Sequence, residues 1–384
     1  MRPLRRWTDV EDYHDGMESI DSGIMDSLFS ILDEVSFDGY TSRDVRSAID
    51  GDPSIENFMA LLSPEASNHM EEMAVRAREI TRMHFGNAVT VFTPLYVSNH
   101  CTNRCRYCGF NECNQIARMK LTPEQVRSEV DAIAGTGLQD ILILTGESKE
   151  MSDVDYICEC VSIAAECFAT VGIEVYPMNT DDYSRVHEAG ADYVTVFQET
   201  YDPVLYAEYH AGGPKRVFSY RFDAQERALR GGMRGVALGA LLGLGDPRRD
   251  AFACGVHGHL LQRRYTHAEM SYSLPRLRPY ANGDMDVNAV DERMLLQVSM
   301  AYRLFMPFAS QTISTRERKG FRDGIVNISA TRISAGVSVG IGEHSGTAHG
   351  DGQFEISDPR SVEQVLADLH SLGLQPVMAD YVRL

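Results

Sequence analysis

The amino-acid sequence predicts an α/β protein, a (β/α)8 TIM-type barrel preceded by a helical extension. Three observations predict this fold. Apolar residues have helical spacing in the first 85 residues, eight short β-rich segments alternate with helices from residue 88 onward, and polar residues follow those segments. Alternating strands and helices are typical of a parallel sheet, either closed as a barrel or open and doubly wound. We favour the barrel, with the extension over residues 1–85 and the barrel over residues 86–384.

The extension is expected to be helical. The segment ESIDSGIMDSLFSILDEV (18–35) repeats apolar residues with the period of about 3.6 residues that marks an amphipathic helix. Further on, Ser63, Pro64 and Glu65 supply a cap residue, a proline for the first turn and an acid near the positive helix end. A second strong helix is therefore predicted to begin there.

Eight segments of the barrel are predicted as strands because they are rich in β-branched and aromatic residues. In chain order they cover residues 89–97, 140–146, 172–178, 192–200, 235–243, 270–277, 311–317 and 330–339. The helices between them have readable starts. Thr122 is followed by Pro123 and Gln125, and Ser361 is followed three residues later by Gln364, as in capping boxes. The helix after Ser361 is expected to close the ring.

Composition and charge exclude several classes of protein. Hydrophobic residues make up 43% and charged residues 24% of the 384 residues, which is enough to bury a sizeable core. The net charge of -19 argues against binding nucleic acid or an anionic membrane, and we expect the basic group GPKRVFSYR (213–221) to be a solvated loop. The longest apolar run, VALGALLGLG, is too short to span a membrane. The basic start lacks an apolar stretch behind it, so we expect a cytoplasmic protein with reduced thiols.

Polar residues follow several of the predicted strands at the point where each strand ends. These segments are TGE (145–147), QET (198–200), PRLRP (275–279) and STRE (314–317). Barrel enzymes carry their active sites at the carboxyl ends of the strands. We therefore expect these segments to lie together and to form an active site.

Four of the eight cysteines fall within SNHCTNRCRYCGFNEC (98–113), in the loop that leaves the first strand. Cys101, Cys105 and Cys108 are spaced closely enough for three thiolates to hold one inorganic centre, given a reach of ~3.3–3.6 Å per residue. A cubane iron–sulfur cluster held by three thiolates leaves one iron open for another ligand. A structural zinc site is the alternative, although it usually needs a second close pair or histidines. Cys113 is expected to be a bystander, and the others buried thiols: Cys158, Cys160, Cys167 and Cys254.

The C-x3-C-x2-C spacing, with Tyr107 directly before the last cysteine, resembles the signature of the radical S-adenosylmethionine (SAM) enzymes. Eight segments in order are similar to the aromatic amino acid lyase branch of that superfamily: PLYVSNHCTNRCRYCGF, LTGES, VFQETYDPVLY, LGALLGL, SLPRLRP, VDERMLLQ, STRE and ISAGVSVG. The resemblance runs from about residue 85 to the end. Within the branch it is strongest to the tyrosine lyases that supply 2-iminoacetate for thiamin biosynthesis.

The resemblance implies an enzyme with a 4Fe–4S cluster on the three cysteines and SAM bound to the fourth iron. A low-potential electron donor such as flavodoxin or ferredoxin would reduce the cluster, which would cleave SAM to a 5′-deoxyadenosyl radical. That radical would take a hydrogen atom from the amino group of L-tyrosine. The Cα–Cβ bond would then break to give 2-iminoacetate and p-cresol, and thiazole synthase would be the partner that takes the imine. The protein itself would orient the reacting groups and exclude water.

The resemblance also implies which residues contact SAM: Tyr107, Gly146, Glu147, Glu199, Arg221, Gly239 and Leu242. Arg221 would face the SAM carboxylate, because a fork of guanidinium donors suits that anion. Gly146 and Glu147 would meet the amino group of the methionine part. Tyr107 would pack near the adenine, which the backbone of residues 239–243 would support. Glu199 is a candidate for the SAM ribose or for the substrate's amino group.

The substrate would offer a carboxylate, an amine and a phenol for recognition. Arg316 is the first choice for the carboxylate and Arg278 the second, since two arginines inside a barrel would be costly without an anion. Ser314 would add a hydrogen bond, and Tyr96 lies on the strand that leads to the cysteines. Arg322 is expected to be a surface charge, and no general base is assigned.

Three alternatives stay open. A tyrosine lyase of the kind that matures iron–iron hydrogenase carries a second cluster on further cysteines, whereas no cysteine follows Cys254 in this sequence. A tryptophan lyase would differ in its substrate, and a zinc- or cluster-binding scaffold would have no activity. The sequence departs from the relatives at two places: Tyr176 in the third strand, which is expected to reshape the pocket, and the loop at residues 341–352, for which the resemblance gives no expected role.

Overall fold

The computed structural model describes residue 10 and residues 12–278, 290–346 and 350–379. Within these residues one sheet contains β1 Ala88–Ser98, β2 Asp140–Thr145, β3 Thr170–Glu174, β4 Tyr193–Thr195, β5 Gly235–Leu238, β6 Glu269–Ser273, β7 Ser310–Ile313, β8 Arg332–Ser334 and β9 Gln375–Val377. The pairing is parallel throughout, and β1 pairs with β2 on one side and β8 on the other. Eight strands therefore close a (β/α)8 barrel. The predicted fold class is confirmed, and the open sheet is excluded.

The strands alternate with helices that surround the barrel. In the described part of the chain the α-helices are α1 Ile24–Leu32, α2 Ser42–Asp50, α3 Ile55–Leu62, α4 Met70–Phe85, α5 Pro123–Ala134, α6 Val154–Ala165, α7 Thr180–Glu188, α8 Pro203–Tyr209, α9 Phe218–Phe222, α10 Ala224–Arg230, α11 Pro247–Arg264, α12 Glu292–Phe305, α13 Lys319–Ile325 and α14 Val362–Ser371. Both predicted capping boxes are present, at Thr122 with Gln125 before α5 and at Ser361 with Gln364 before α14. The strand β9, which was not predicted, follows α14 and pairs with β1.

Most of the strands end earlier than their sequence predicts. The segment predicted over residues 192–200 forms β4 only as far as Thr195, and the one over residues 235–243 forms β5 only as far as Leu238. Beyond these points the two segments meet at an isolated bridge between Glu199 and Ala240. Backbone hydrogen bonds continue between the two segments, from the Gln198 amide to the Gly239 carbonyl at 3.0 Å and from the Leu241 amide to the Glu199 carbonyl at 2.8 Å. These contacts hold the side chains at the carboxyl ends of the strands in place to form a site.

The amino-terminal helices pack on the outside of the barrel. Helix α1 contacts α11, and α3 and α4 contact α12. At this junction Phe58 is fully buried, and its ring stacks on Phe305 with centroids 4.3 Å apart. The helix predicted at Ser63 begins with a 3-10 turn at Glu65–His69, and the α-helix starts only at Met70. The division of the chain at residue 85 stays a prediction.

Two expectations about buried side chains were wrong. Arg322 is not a surface charge: it is fully buried, pairs with Asp358 and donates to the Ser334 carbonyl, so that it ties α13 to the end of β8. Of the four thiols predicted to be buried, Cys160 and Cys254 are buried, but Cys158 and Cys167 are partly exposed. The sequence could not separate these cases, because the pattern of neighbouring residues does not say which way a single side chain faces.

No helix in the described ranges is both long and apolar enough to cross a membrane. The basic start of the chain, on which the expectation about a leader rested, lies in residues 1–9 and outside the described residues.

Candidate active site

The loop that carries the cysteines is held by parts of the chain far from it in sequence. The amide of Thr102 donates to the Glu147 carbonyl at 3.1 Å, and the amide of Arg104 donates to the Gly212 carbonyl at 3.0 Å. The guanidinium of Arg118 donates to three backbone carbonyls of the loop at 2.7–3.1 Å. These hydrogen bonds set the loop's conformation at the carboxyl end of β1.

Cys101, Cys105 and Cys108 line one small cavity of about 100 Å³, which we call the cysteine cavity. Burial raises the pKa of Cys101 to about 11 and holds the pKa of Cys105 well above its ordinary value. Both thiols are therefore protonated unless a bound cationic centre draws off their protons. Cys113, by contrast, is exposed and is not part of this cavity.

The donor set of the cysteine cavity suits a cluster better than a single ion. Among the described residues, no group of three or more His, Cys, Asp or Glu side chains is arranged to hold one metal ion. A cubane cluster places each of three thiolates on its own iron. Three sulfurs that line one cavity without converging on a single point therefore fit a 4Fe–4S cluster.

Four charged side chains also line the cysteine cavity and pair with one another: Glu147, Glu199, Lys215 and Arg221. Lys215 Nζ lies 2.8 Å from Glu199 Oε1 and 3.7 Å from Glu147 Oε1. Arg221 Nη1 lies 2.9 Å from Glu147 Oε1. Burial by itself would raise the pKa of Glu147, but Arg221 and Lys215 bring it below its ordinary value. Glu147 therefore stays ionised, and the four side chains together can offer both signs of charge to a zwitterionic ligand.

Lys215 is a site residue that the sequence analysis missed, and the expectation of a solvated loop over residues 213–221 was wrong. Lys215 and Arg221 are only 9% and 5% exposed. A 3-10 turn at Pro214–Arg216 and the helix α9 point them inward. A short basic group has no periodicity that distinguishes inward from outward charges, so the sequence held no signal for this.

We expect Lys215→Ala to destabilise the protein by roughly 3 kcal/mol, because it removes one partner of a buried ion pair. This decrease in the free energy of unfolding lies at the lower end of the range for broken buried ion pairs, since Arg221 Nη2 still lies 3.7 Å from Glu199 Oε1. Urea unfolding followed by circular dichroism measures it. Arg46→Ala, which removes an exposed pair with Glu72, is the control and should cause no resolvable change. Equal urea midpoints for Lys215→Ala and Arg46→Ala would contradict the assignment of Lys215 to a buried ion pair.

Tyr107 borders the cysteine cavity in a fixed orientation. Its hydroxyl donates to His210 Nε2 at 2.7 Å, and His210 Nδ1 donates to the Tyr206 carbonyl at 2.7 Å. Burial holds the pKa of His210 well below its ordinary value, so the imidazole is neutral and can accept this hydrogen bond. The ring of Tyr107 is thus available as one wall for a ligand of the cavity.

The structure separates the remaining residues that were expected to contact SAM. Gly146 lines the cysteine cavity, and a Cβ at that position would lie 2.3 Å from the His100 carbonyl. Glu199 also lines it and has a φ of 72°, a strained conformation of the kind that collects at functional sites. Gly239 and Leu242 line neither this cavity nor the larger one described next, whereas Leu241 between them lines the cysteine cavity, and the contact of this backbone with the adenine stays a prediction.

A second cavity of about 720 Å³, which we call the axial cavity, extends along the barrel interior. Tyr96 and Arg316 line it near the carboxyl ends of the strands, and Phe85 and Phe308 line it at the opposite end. Its volume lies within the range of ~300–1,000 Å³ that small-molecule sites usually have. Tyr96, Arg316 and Glu174 line both cavities, so a molecule in the axial cavity would adjoin the cysteines.

Arg316 and Arg278 differ in what they contact. The Arg316 guanidinium lies over the Phe354 ring at 3.8 Å, and no other described residue forms a hydrogen bond or ion pair with it. Arg278 donates to Ser357 Oγ at 2.8 Å and lines the cysteine cavity but not the axial cavity. Ser314 lines the axial cavity. Arg316 is therefore the guanidinium that faces both cavities without an anion from the described part of the chain.

The loop before α14 brings further side chains that the sequence did not reveal. Tyr96 donates to Gln353 Oε1 at 3.0 Å, and Gln353 Nε2 donates to Cys108 Sγ at 3.5 Å. Residues 347–349 of the loop at 341–352, which departs from the relatives, lie outside the described residues. The expectation for Tyr176 was wrong, because it lines neither cavity and donates to the Ser152 carbonyl at 2.8 Å.

Comparison with known proteins shows which families, relatives and solved structures this chain is similar to. Residues 95–252 match the radical SAM superfamily, and residues 273–375 match the biotin and thiamin synthesis associated domain. The chain is 37% identical over 345 residues to 2-iminoacetate synthase of Escherichia coli (strain K12), covering 89% of this chain and 92% of that relative. A solved structure of HydG, a maturase of the FeFe-hydrogenase, superimposes with a TM-score of 0.86 at 28% identity and covers 94% of this chain and 81% of that one. Methylornithine synthase (PylB), at 22% identity and a TM-score of 0.69 over 87% of this chain and 97% of that one, shares the fold.

Proposed function

Since this chain belongs to the radical SAM superfamily and, within it, to the family of 2-iminoacetate synthases, we propose that it is the lyase that cleaves L-tyrosine. In the proposed reaction the Cα–Cβ bond breaks, and 2-iminoacetate and p-cresol are formed. The imine would supply the thiazole ring of thiamin. The 37% identity over 92% of the Escherichia coli relative supports this choice within the tyrosine lyases, and no observation favours the hydrogenase-maturase alternative.

The observation that carries the proposal is the environment of Arg316. Its guanidinium faces both cavities and has no carboxylate partner among the described residues. Arg316 is partly buried, and the planar fork of donors of a guanidinium without an anion matches a carboxylate. An amino acid that binds through Arg316 would place its α-carbon at the junction of the two cavities. Its aromatic ring would then extend into the larger axial cavity, because the cluster and SAM would occupy the cysteine cavity.

The chain's own residues would position the cofactors and the substrate. Cys101, Cys105 and Cys108 would hold the 4Fe–4S cluster, and the charged group that includes Glu147 and Arg221 would meet the amino and carboxylate ends of SAM. When bound, the cluster and SAM supply an organic radical that can remove a hydrogen atom from the substrate. The barrel wall around the junction excludes water and stray hydrogen donors from it.

The product chemistry also suggests the partners and the compartment. An imine such as 2-iminoacetate is open to hydrolysis, so we infer that thiazole synthase takes it directly. The electron would come from a low-potential donor such as flavodoxin or ferredoxin. A cytoplasmic location fits this chemistry, because thiols stay reduced there.

The proposal predicts the products of a single assay. Protein reconstituted with iron and sulfide under anaerobic conditions, then given SAM, dithionite and L-tyrosine, should release 5′-deoxyadenosine and p-cresol. L-tryptophan in place of tyrosine should give no aromatic cleavage product. Chromatography of the quenched reaction measures both products. Cleavage of tryptophan without p-cresol from tyrosine would overturn the choice of substrate.

A further inference from the structure

Glu174 is a carboxylate at the proposed reaction site to which the sequence analysis gave no role. It is the last residue of β3, at the carboxyl end of the barrel, and it lines both the axial and the cysteine cavities. In the described ranges no residue forms a hydrogen bond or an ion pair with its carboxylate. A carboxylate in such a place, facing two cavities, is poised for a cationic or proton-donating ligand.

The other acids that line the two cavities already have partners. Glu147 and Glu199 pair with Arg221 and Lys215 in the charged group. Asp140 pairs with Arg332 at 2.8 Å, and Glu269 pairs with Arg234 at 2.8 Å. Glu174 is therefore the acid of these cavities whose carboxylate is free to meet a ligand, as far as the described residues show.

The surroundings of Glu174 allow it to take up and release a proton near neutral pH. The charged groups that act on it are those of Arg316, Glu199, Lys215 and Arg221. Burial raises its pKa to about 7, although Arg316 lowers it. A carboxyl with a pKa near the working pH is an effective proton acceptor.

Resting on the proposed function, we propose that Glu174 is a catalytic residue that binds the α-ammonium of the substrate and accepts a proton from it. Arg316 would hold the carboxylate of the same amino acid, so the two residues form a matched pair for a zwitterion. The N–H bond breaks with its electron pair staying on nitrogen, and the proton moves to a carboxylate oxygen of Glu174. The products are a neutral amine and a neutral carboxylic acid, and no redox partner is needed.

This proton transfer explains how a hydrogen atom could be taken from the substrate's nitrogen. Free tyrosine carries an ammonium group at neutral pH, which has no lone pair to stabilise a radical on nitrogen. Once the proton has moved to Glu174, the amine regains that lone pair. Glu174 thus supplies the proton acceptor that the sequence analysis left unassigned.

The test uses Glu174→Gln, which keeps the shape of the side chain and removes its charge and basicity. Reconstituted enzyme without reductant is titrated with L-tyrosine and with 3-(4-hydroxyphenyl)propanoate, which lacks only the amine. The unmodified enzyme should bind tyrosine at least about 10-fold more tightly than this analogue. Glu174→Gln should lose most of that preference by weakening tyrosine alone. With reductant and SAM, its p-cresol formation should fall about 100-fold or more.

Controls separate this inference from the proposed function and from a folding defect. Glu166→Gln, which removes an exposed carboxylate that pairs with Arg127 and lines neither cavity, should retain the preference for tyrosine and the full p-cresol yield. Glu174→Asp, which keeps the charge, should retain part of the preference. A Glu174→Gln enzyme that keeps the full preference and yield would overturn the inference while leaving the tyrosine reaction intact. Absence of p-cresol from the unmodified enzyme would instead overturn the proposed function.

Discussion

Cys105→Ala should abolish product formation and lower the iron and sulfide content from about four of each to well below one per chain. The thiol of Cys105 is buried in the cysteine cavity between the other two cysteines. Because the cavity offers three thiols, the loss of one leaves two irons without a protein ligand. Colorimetric iron and sulfide assays, with absorbance near 400 nm as roughly expected for such clusters, measure the loss.

Cys113→Ala is the matched control, since it removes a thiol from the same loop. Cys113 is exposed, and its amide donates to Asn111 Oδ1 at 2.9 Å through the backbone, which the substitution keeps. Iron content and p-cresol formation should be unchanged. A loss of iron in this variant would show that a fourth protein thiol takes the position that SAM needs, and the proposed chemistry would fail.

Arg316→Ala should raise the tyrosine concentration needed for half-maximal p-cresol formation by at least about 30-fold, equivalent to ~2 kcal/mol. The substitution removes the guanidinium that we assign to the substrate carboxylate but leaves the cysteine cavity's charged group in place. Cleavage of SAM without tyrosine cleavage should therefore persist. Chromatography of 5′-deoxyadenosine and p-cresol from the same reactions measures the two activities separately.

Two comparisons decide whether Arg316 acts through the carboxylate. Tyramine lacks that group, so the unmodified enzyme should prefer tyrosine to tyramine in binding, and Arg316→Ala should lose the preference. Arg318→Ala removes an exposed charge that pairs with Glu292 only two residues away, and it should behave like the unmodified enzyme. An Arg316→Ala enzyme with unchanged tyrosine dependence would assign the carboxylate to another residue.

Much of the fold could be predicted because hydrophobic patterning and capping are local properties. The capping boxes at Thr122 and Ser361 depend on residues three apart, and the structure has both. Strand ends were less predictable, because β-propensity continues past Thr195 and Leu238, where the regular ladder gives way to a few backbone hydrogen bonds and one bridge. Whether an extended segment keeps its hydrogen bonds depends on the neighbouring strand, which the local sequence does not encode.

The residues of the site likewise divide into those that have a local sequence signal and those that have none. The cysteine spacing and the acids after the strands are local, and they come together in one cavity. Lys215 and Gln353 reach that cavity from a short turn and a distant loop, and nothing in their own neighbourhood marks them. Glu174 fell inside the strand predicted over residues 172–178, and only the structure shows it at the end of a strand and without a partner among the described residues.

The way in which the cysteine loop is held has a consequence for how the protein is made. Its cysteines emerge from the ribosome before Gly212, which accepts a hydrogen bond from the loop and follows about a hundred residues later, and well before Gln353. The loop can have all its contacts only after residue 353 has been synthesised. We therefore expect the three thiols to be open to oxidation until then.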